Sequence, residues 1–239
     1  MNLKAILFDL DDTLYDGFIP GDREGFSRCG QYAAEHLGIP AETFSDAMLR
    51  ARQALKARLP REPEIHDRVL FAQYALESLG QNPIPHAEAL HDLYWSGVLD
   101  RITVRPGVPM FLDELRACGI AVVVCTNMLA GIQMRKIRQL GLAERVDFLV
   151  TSEEAGRDKP DAAIFRLALY KAGCAASEAL MVGDNFVHDI SGAHQVGITG
   201  LWLHVHGEPA PQADFPFAEA SSFTEAADLI RQRFLHFSL

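Results

Sequence analysis

The stretch that decides the fold is Ala5-Ile6-Leu7-Phe8-Asp9-Leu10-Asp11-Asp12-Thr13-Leu14. A short apolar run bounded by polar residues reads as a strand buried on both faces. It ends in two carboxylates one residue apart, Asp9 and Asp11, followed by the hydroxyl of Thr13. Side chains alternate along a strand, so the two acids share a face while the chain stays extended. The turn beyond it lets either acid reach one reacting centre. Burying two acids together is costly without a cation. The stretch therefore predicts a metal, and chemistry, at the carboxyl end of this strand.

Outward from this first strand, Lys4–Leu10, four further segments read as buried strands: Ile120–Thr126, Asp147–Thr151, Ala179–Gly183 and Gly200–His204. Helical periodicity predicts helices over Met110–Cys118, Ala130–Leu140, Asp161–Ala172 and Asp189–Val196. Pro160 is expected in the first turn of the third of these, and Gly197 at the exit of the last. The alternation predicts an α/β core with a parallel sheet covered on both faces. Such sheets bind ligands beyond the carboxyl ends of the strands, near a switch in strand order.

One interval breaks the alternation. Between about Gly21 and Asp100 there are only amphipathic helical stretches: Arg23–Leu37, Ala41–Leu59, Arg68–Leu79 and His86–Leu99. Gly- and Pro-bearing loops separate them, and Arg105–Pro109 reads as the return linker. The expected organisation is a core of residues 1–16 and 101–239 with a four-helix unit, 17–100, inserted beside Asp9 and Asp11, where it suits a lid. In the tail, Gly207–Phe217 reads as a loop. Ser222 and Glu225 form a capping-box pattern before a last helix ending near Phe234.

Composition narrows the partners. The chain has 239 residues, 49% of them hydrophobic, and a net charge of −10. A negative surface argues against nucleic acid or an anionic membrane as partner. Cys29, Cys118, Cys125 and Cys174 are widely spaced with no C-x-x-C pair, which predicts free thiols in a reducing compartment. The amino-terminal residues lack signal-peptide features, and no apolar run approaches the ~18 residues of a membrane span. A soluble, cytoplasmic location is expected.

Four short motifs fall at or just after the first four strands: Asp9 to Thr13; Thr126-Asn127; Lys159-Pro160; and Gly183-Asp184-Asn185, with Asp189 five residues past Asp184. Taken singly, each has an ordinary structural explanation as a cap, a strand-end hydroxyl, a solvated lysine or a tight turn. Their order, each behind its own strand, brings acid, hydroxyl, base and acid to one crevice. That set suits phosphoryl transfer. Asp9 can act as nucleophile, splitting one hard step into two. Asp11 can protonate the leaving oxygen and then take a proton from water. Asp9 and Asp184 offer hard oxygens to Mg²⁺. Thr126 and Lys159 can hold phosphate oxygens.

On these residues the chain resembles the haloacid dehalogenase-like (HAD) hydrolases, and their phosphatase branch in particular, over essentially its whole length. The resemblance implies a Rossmann-like core with a helical cap inserted after the first motif. It implies Asp9 as nucleophile and Asp11 as general acid/base. It places Mg²⁺ on the carboxylates of Asp9 and Asp184 and the backbone carbonyl of Asp11, with Asp189 and Thr13 behind them. Thr126, Asn127 and Lys159 are implied to bind the phosphoryl group of a small phosphorylated substrate. Asp12 departs from the family pattern, since many relatives carry Gly there. The namesake dehalogenases do not use a magnesium-paired second aspartate, so Asp11 and Thr13 favour a phosphatase over a 2-haloacid dehalogenase. A non-catalytic phospho-ligand-binding protein is the third reading; it is expected to have lost one of these acids.

The substrate stays open among nucleotides, phosphosugars and phosphorylated carboxylic acids, as does the oligomeric state. Tyr15, Phe18, Arg23, Phe26, Arg61, His66, Arg68 and Trp95 are candidates to face the substrate, each with a structural alternative. Arg61 and Arg68 read as surface charges, Trp95 as core of the insert, and His204 and His206 as incidental, because Mg²⁺ prefers oxygen.

Overall fold

The structure is a computed structural model that describes residues 2–205, 207, 209 and 211–234. His206 lies outside the described residues. The chain divides into two compact units, Met1–Asp16 with Thr103–Leu239, and Gly17–Ile102.

In chain order, β1 (Ala5–Phe8) and β2 (Tyr15–Asp16) precede the inserted helices α1 (Phe18–Leu37), α2 (Ala41–Arg58), α3 (Arg68–Ser78) and α4 (Ala87–Leu99). The larger unit resumes with β3 (Thr103–Val104), α5 (Val108–Ala117), β4 (Ala121–Thr126), α6 (Ala130–Gln139) and β5 (Phe148–Thr151). Then come α7 (Ser152–Ala155), α8 (Ala162–Ala172), β6 (Ala179–Gly183), a π-helical turn over Phe186–Ser191, α9 (Gly192–His194), β7 (Thr199–Leu203), β8 (Ala218–Ala220) and α10 (Phe223–Phe234).

Six strands form one sheet in the order β5-β4-β1-β6-β7-β8. Every neighbouring pair is parallel. The chain runs outward from β1 through β4 to β5, then crosses to β6 on the other side of β1. The carboxyl ends of β4, β1 and β6 therefore lie side by side at the switch in strand order. All residues of β1 and β6 are buried, as two-sided coverage of a parallel sheet requires. Ala5, Leu7, Val123, Cys125, Val150 and Met181 from the sheet pack with Ile164, Phe165 and Ala168 of α8 in one apolar cluster.

Several expectations need correction. Pro160 lies outside α8, because Asp161 is its cap and accepts a hydrogen bond from the Ala163 amide at 2.9 Å. The predicted helix over Asp189–Val196 is a wide π turn followed by α9. Asp189 is turned inward here and buried, not on a regular amphipathic face. The reading also missed β8 and the antiparallel ribbon β2–β3. Elements of two or three residues are too short to show alternation. In the tail, the Ser222 hydroxyl accepts from the Glu225 amide, but the Glu225 carboxylate returns to Ser221, one residue earlier than a capping box requires.

Within the inserted unit, α1 and α4 meet where both lack side chains. A Cβ on Gly97 would lie 2.7 Å from the Gly25 nitrogen, and one on Gly25 would lie 2.7 Å from Tyr94. Arg68, expected at the surface, is only 4% exposed. Its guanidinium lies 4.7–4.8 Å from the ring centres of Phe71, Tyr94 and Trp95. It donates to the Tyr94 hydroxyl at 3.0 Å, and that hydroxyl donates to Asp22. Trp95 is buried, as core of the insert. Among the described residues no helix is long and apolar enough to cross a membrane.

Candidate active site

At the tip of β1 the Asp9 amide still donates to the Val182 carbonyl of β6, so its side chain is fixed at the sheet's edge. The chain then turns at Asp12, which adopts a left-handed conformation (φ 59°). Glycine takes this conformation without strain, and Asp is among the few other residues that tolerate it. Arg105 secures the turn by donating to the Asp12 carbonyl at 2.8 Å while pairing with Asp16 at 2.6 Å. This brings Thr13 back over Asp9. The Thr13 hydroxyl lies 3.3 Å from Asp9 Oδ2 and 3.2 Å from Asp184 Oδ1, and it accepts from the Asp184 amide at 3.0 Å.

Lys159 reaches the same point from the loop after α7. Its Nζ donates to Asp9 Oδ1 and Asp189 Oδ1, each at 2.6 Å, and to the Cys125 carbonyl at 2.9 Å. Asp189 Oδ2 accepts from the Asn185 amide at 3.0 Å. Its close approach needs Gly183, where a Cβ would fall 2.3 Å from Asp189 Oδ2. Asn127 holds the lysine's own backbone: its Oδ1 accepts from the Lys159 amide at 2.6 Å and its Nδ2 donates to the Lys159 carbonyl at 3.2 Å. The indole of Trp202 donates to the Asp184 carbonyl at 2.7 Å and steadies the last motif.

One carboxylate oxygen from each of Asp9, Asp184 and Asp189 lies within 4.8 Å of the others. Burial first, and then the neighbouring carboxylates, push Asp9 well above the ordinary range against the pull of Lys159. Burial and the charges of Asp189 and Asp12 push Asp184 up to about 7. Burial alone would lower Lys159, but Asp189 and Asp9 more than offset it and its pKa is raised. Two buried carboxylates and the half-buried Asp184 around one ammonium leave negative charge that is only partly balanced. Hard oxygens with that imbalance fit a small divalent cation.

Asp11 points elsewhere. Lys136 Nζ donates to its Oδ1 at 2.6 Å, Gln133 Nε2 donates to its Oδ2 at 3.0 Å, and the Tyr15 hydroxyl also donates to Oδ1. Burial raises the Asp11 carboxyl, but the Lys136 ammonium and the hydrogen bonds of all three partners hold it below the ordinary value. The Gln133 amide also donates to Thr126 Oγ1 at 2.7 Å.

The structure thus gathers Asp9, Asp11, Thr13, Thr126, Asn127, Lys159, Asp184 and Asp189 around the ends of β1, β4 and β6. Sequence reasoning missed Gln133, Lys136, Arg105 and Trp202. It listed Tyr15 as a substrate-facing candidate, whereas its hydroxyl is on Asp11.

Residues 3–197 match the family described as haloacid dehalogenase-like hydrolase. A relative named ribulose-1,5-bisphosphate 5-phosphatase, from Halopiger xanaduensis, is 36% identical over 227 residues, covering 94% of this chain and 89% of its own. A phosphoserine phosphatase from Thermus thermophilus is 31% identical, covering 84% of this chain and 88% of its own. Among solved structures, a 2-haloacid dehalogenase from Pseudomonas syringae pv. Tomato DC3000 is 29% identical with a TM-score of 0.76, covering 96% of this chain and 99% of that one. With its Rossmann-like α/β core and these matches, the chain belongs to the haloacid dehalogenase-like hydrolases, among relatives that are named as phosphatases.

Proposed function

We propose that the protein is a Mg²⁺-dependent phosphomonoesterase that hydrolyses a small phosphorylated metabolite through an aspartyl-phosphate. The observation that carries this reading is the cluster of Asp9, Asp189 and the half-buried Asp184, with Lys159 bridging Asp9 and Asp189. Asp9 is the nucleophile. Lys159 engages its Oδ1, leaving Oδ2 with one long contact to Thr13 as the less committed oxygen. Attack on phosphorus breaks the bond to the leaving oxygen, and Asp11 gives that oxygen a proton. A water then attacks the same phosphorus, Asp11 takes its proton, and the Asp9 carboxylate is restored. The Thr126 hydroxyl and Lys159 hold the phosphoryl oxygens, and Asn127 serves that contact by fixing the Lys159 backbone. The carboxylates of Asp9 and Asp184 and the carbonyl of Asp11 would hold Mg²⁺, which supplies charge neutralisation for the transferring group. Thr13 and Asp189 support those ligands.

The names of the relatives rank a bisphosphorylated sugar first in any substrate panel, followed by phosphoserine. The test is phosphate release from such a panel and from p-nitrophenyl phosphate, with and without Mg²⁺. Turnover that persists in Asp9→Asn removes the nucleophile assignment. A dehalogenase is the second reading, favoured by the likeness to the Pseudomonas protein. It predicts metal-independent halide release from 2-haloacids and leaves Asp11, with its three donors, without a task.

A further inference from the structure

We propose that Lys136 is a positioning residue for Asp11, acting with Tyr15 and Gln133, and that Gln133 couples Asp11 to the phosphate-binding hydroxyl of Thr126. This inference rests on the phosphatase reading above.

Lys136, Gln133 and Tyr15 are each wholly buried, whereas the Asp11 side chain keeps 20% of its surface exposed. Both Asp11 oxygens are engaged, by donors from two separate elements: Tyr15 from β2, and Gln133 and Lys136 from α6. The Lys136 ammonium also lies 5.9 Å from the centre of the Tyr15 ring. A buried ion pair is poor value for stability, since apolar residues of similar size often serve as well. The same face of α6 carries Ile132 and Ile137, and apolar side chains at 133 and 136 would complete it. The pair is better explained by what it does to Asp11. That side chain lies two residues past Asp9, in a turn, and has two free torsions. Held by three donors, its side chain has one position from which to deliver a proton and to take one back. A displacement of about 1 Å in such a group can cost roughly 100-fold in rate.

Gln133 adds the second link. Its single Nε2 lies within hydrogen-bond reach of both Asp11 Oδ2 and Thr126 Oγ1. Because Thr126 accepts from this amide, its own hydroxyl proton is free to be donated to a phosphoryl oxygen. The group that grips phosphate and the group that moves the proton are thus held by one side chain. The cycle requires Asp11 to carry a proton when attack begins, against the pull of Lys136; Asp11 passes that proton to the leaving oxygen and takes one back from water, while Lys136 keeps its own.

The test is a double-mutant cycle on phosphate release, with thermal unfolding followed alongside. Lys136→Met should lower kcat roughly 10- to 100-fold while KM moves less than about threefold. In an Asp11→Asn background the same substitution should change kcat by less than about twofold, because its target is gone. Tyr15→Phe keeps the ring and removes only the donor, so it serves if Lys136→Met does not fold; it should lower kcat about threefold to tenfold, again only when Asp11 is present. Equal losses in both backgrounds mean a merely structural role and overturn the assignment. So does an undiminished kcat in both single variants of an active enzyme. A wild-type protein that releases no phosphate from any panel member instead overturns the phosphatase reading, and this assignment with it.

Discussion

Two buried lysines face the two aspartates at the end of β1, and their surroundings differ. Lys159 comes from a loop and touches two carboxylates, Asp9 and Asp189, with Asp184 close by. Lys136 comes from a helix and donates to Asp11, which also accepts from the neutral donors Tyr15 and Gln133. At the first site negative charge exceeds positive, so carboxyl pKa values rise. At the second an ammonium and two neutral donors face Asp11, and the Asp11 pKa falls. An unbalanced acidic site can take up a divalent cation and then a phosphate; at the second site the donors orient Asp11 for proton transfer. The two lysines therefore divide binding from positioning.

The widest separation should come from removing each ammonium. Lys159→Met leaves two buried carboxylates without their counter-ion. It is expected to destabilise the fold by about 3–5 kcal/mol and to lower kcat at least roughly 1000-fold, measured by urea unfolding and phosphate release. The loss should exceed that of Lys136→Met by a factor of ten or more. Equal impairment of the two variants would erase the distinction. Metal removal acts chiefly on the acidic cluster beside Lys159. Chelation should cut turnover by roughly 100-fold or more, restored by Mg²⁺ and poorly by the larger Ca²⁺. Undiminished turnover in chelator would break the reading of the acidic cluster as a cation site.

The pH dependence of stability separates the sites by sign. Burial and its acidic neighbours push Asp184 from the ordinary 3.8 up to about 7 in the folded protein. A raised carboxyl contributes stability below the unfolded value and loses it as pH rises through the folded one. Without divalent cation the protein should therefore become less stable between about pH 4 and pH 7. The depressed Asp11 carboxyl works in the opposite sense: its contribution is present above the unfolded value and lost only in acid. Urea midpoints in chelator should be lower at pH 8 than at pH 5. Mg²⁺ should raise the midpoint at pH 8 and do little at pH 5, and Asp184→Asn should flatten the slope. A midpoint that rises across this window contradicts the charge imbalance.

The same contrast explains what could be read from sequence. Lys159 was legible because it stands between a strand and a helix start, in order with three other motifs. β1, β4 and β6 were legible because two-sided burial leaves them apolar up to the Thr126 hydroxyl at the tip of β4. Lys136 and Gln133 were not, because Gln133-Met134-Arg135-Lys136-Ile137-Arg138 looks like an ordinary charged helix. A signal was present: Ile132, Ile137 and Leu140 define the buried face, and Gln133 and Lys136 fall on it. Polar residues on the apolar face of a helix that follows a catalytic strand merit the same scrutiny as the strand tip. Arg68 carried no such mark, since its three aromatic neighbours come from two helices and meet only in the folded unit.

The smallest effect concerns Asn127, which belongs to the Lys159 side by contact but was expected to touch phosphate. Its amide is occupied at both ends by the Lys159 backbone, at 2.6 and 3.2 Å. Asn127→Ala removes two hydrogen bonds worth about 0.5–1.5 kcal/mol each. The lysine then loses the clamp on its backbone but keeps its ammonium among Asp9, Asp189 and the Cys125 carbonyl. The expected outcome is a fall in kcat/KM of roughly tenfold, with the unfolding midpoint slightly lowered. If Asn127 works through Lys159, the same change made in Lys159→Met should cost almost nothing more, because residues that share one interaction are not additive. If it grips the phosphoryl group directly, the tenfold loss should persist in that background and appear mainly in KM. The second result would move Asn127 from the lysine to the substrate and narrow what the Lys159 cluster does by itself.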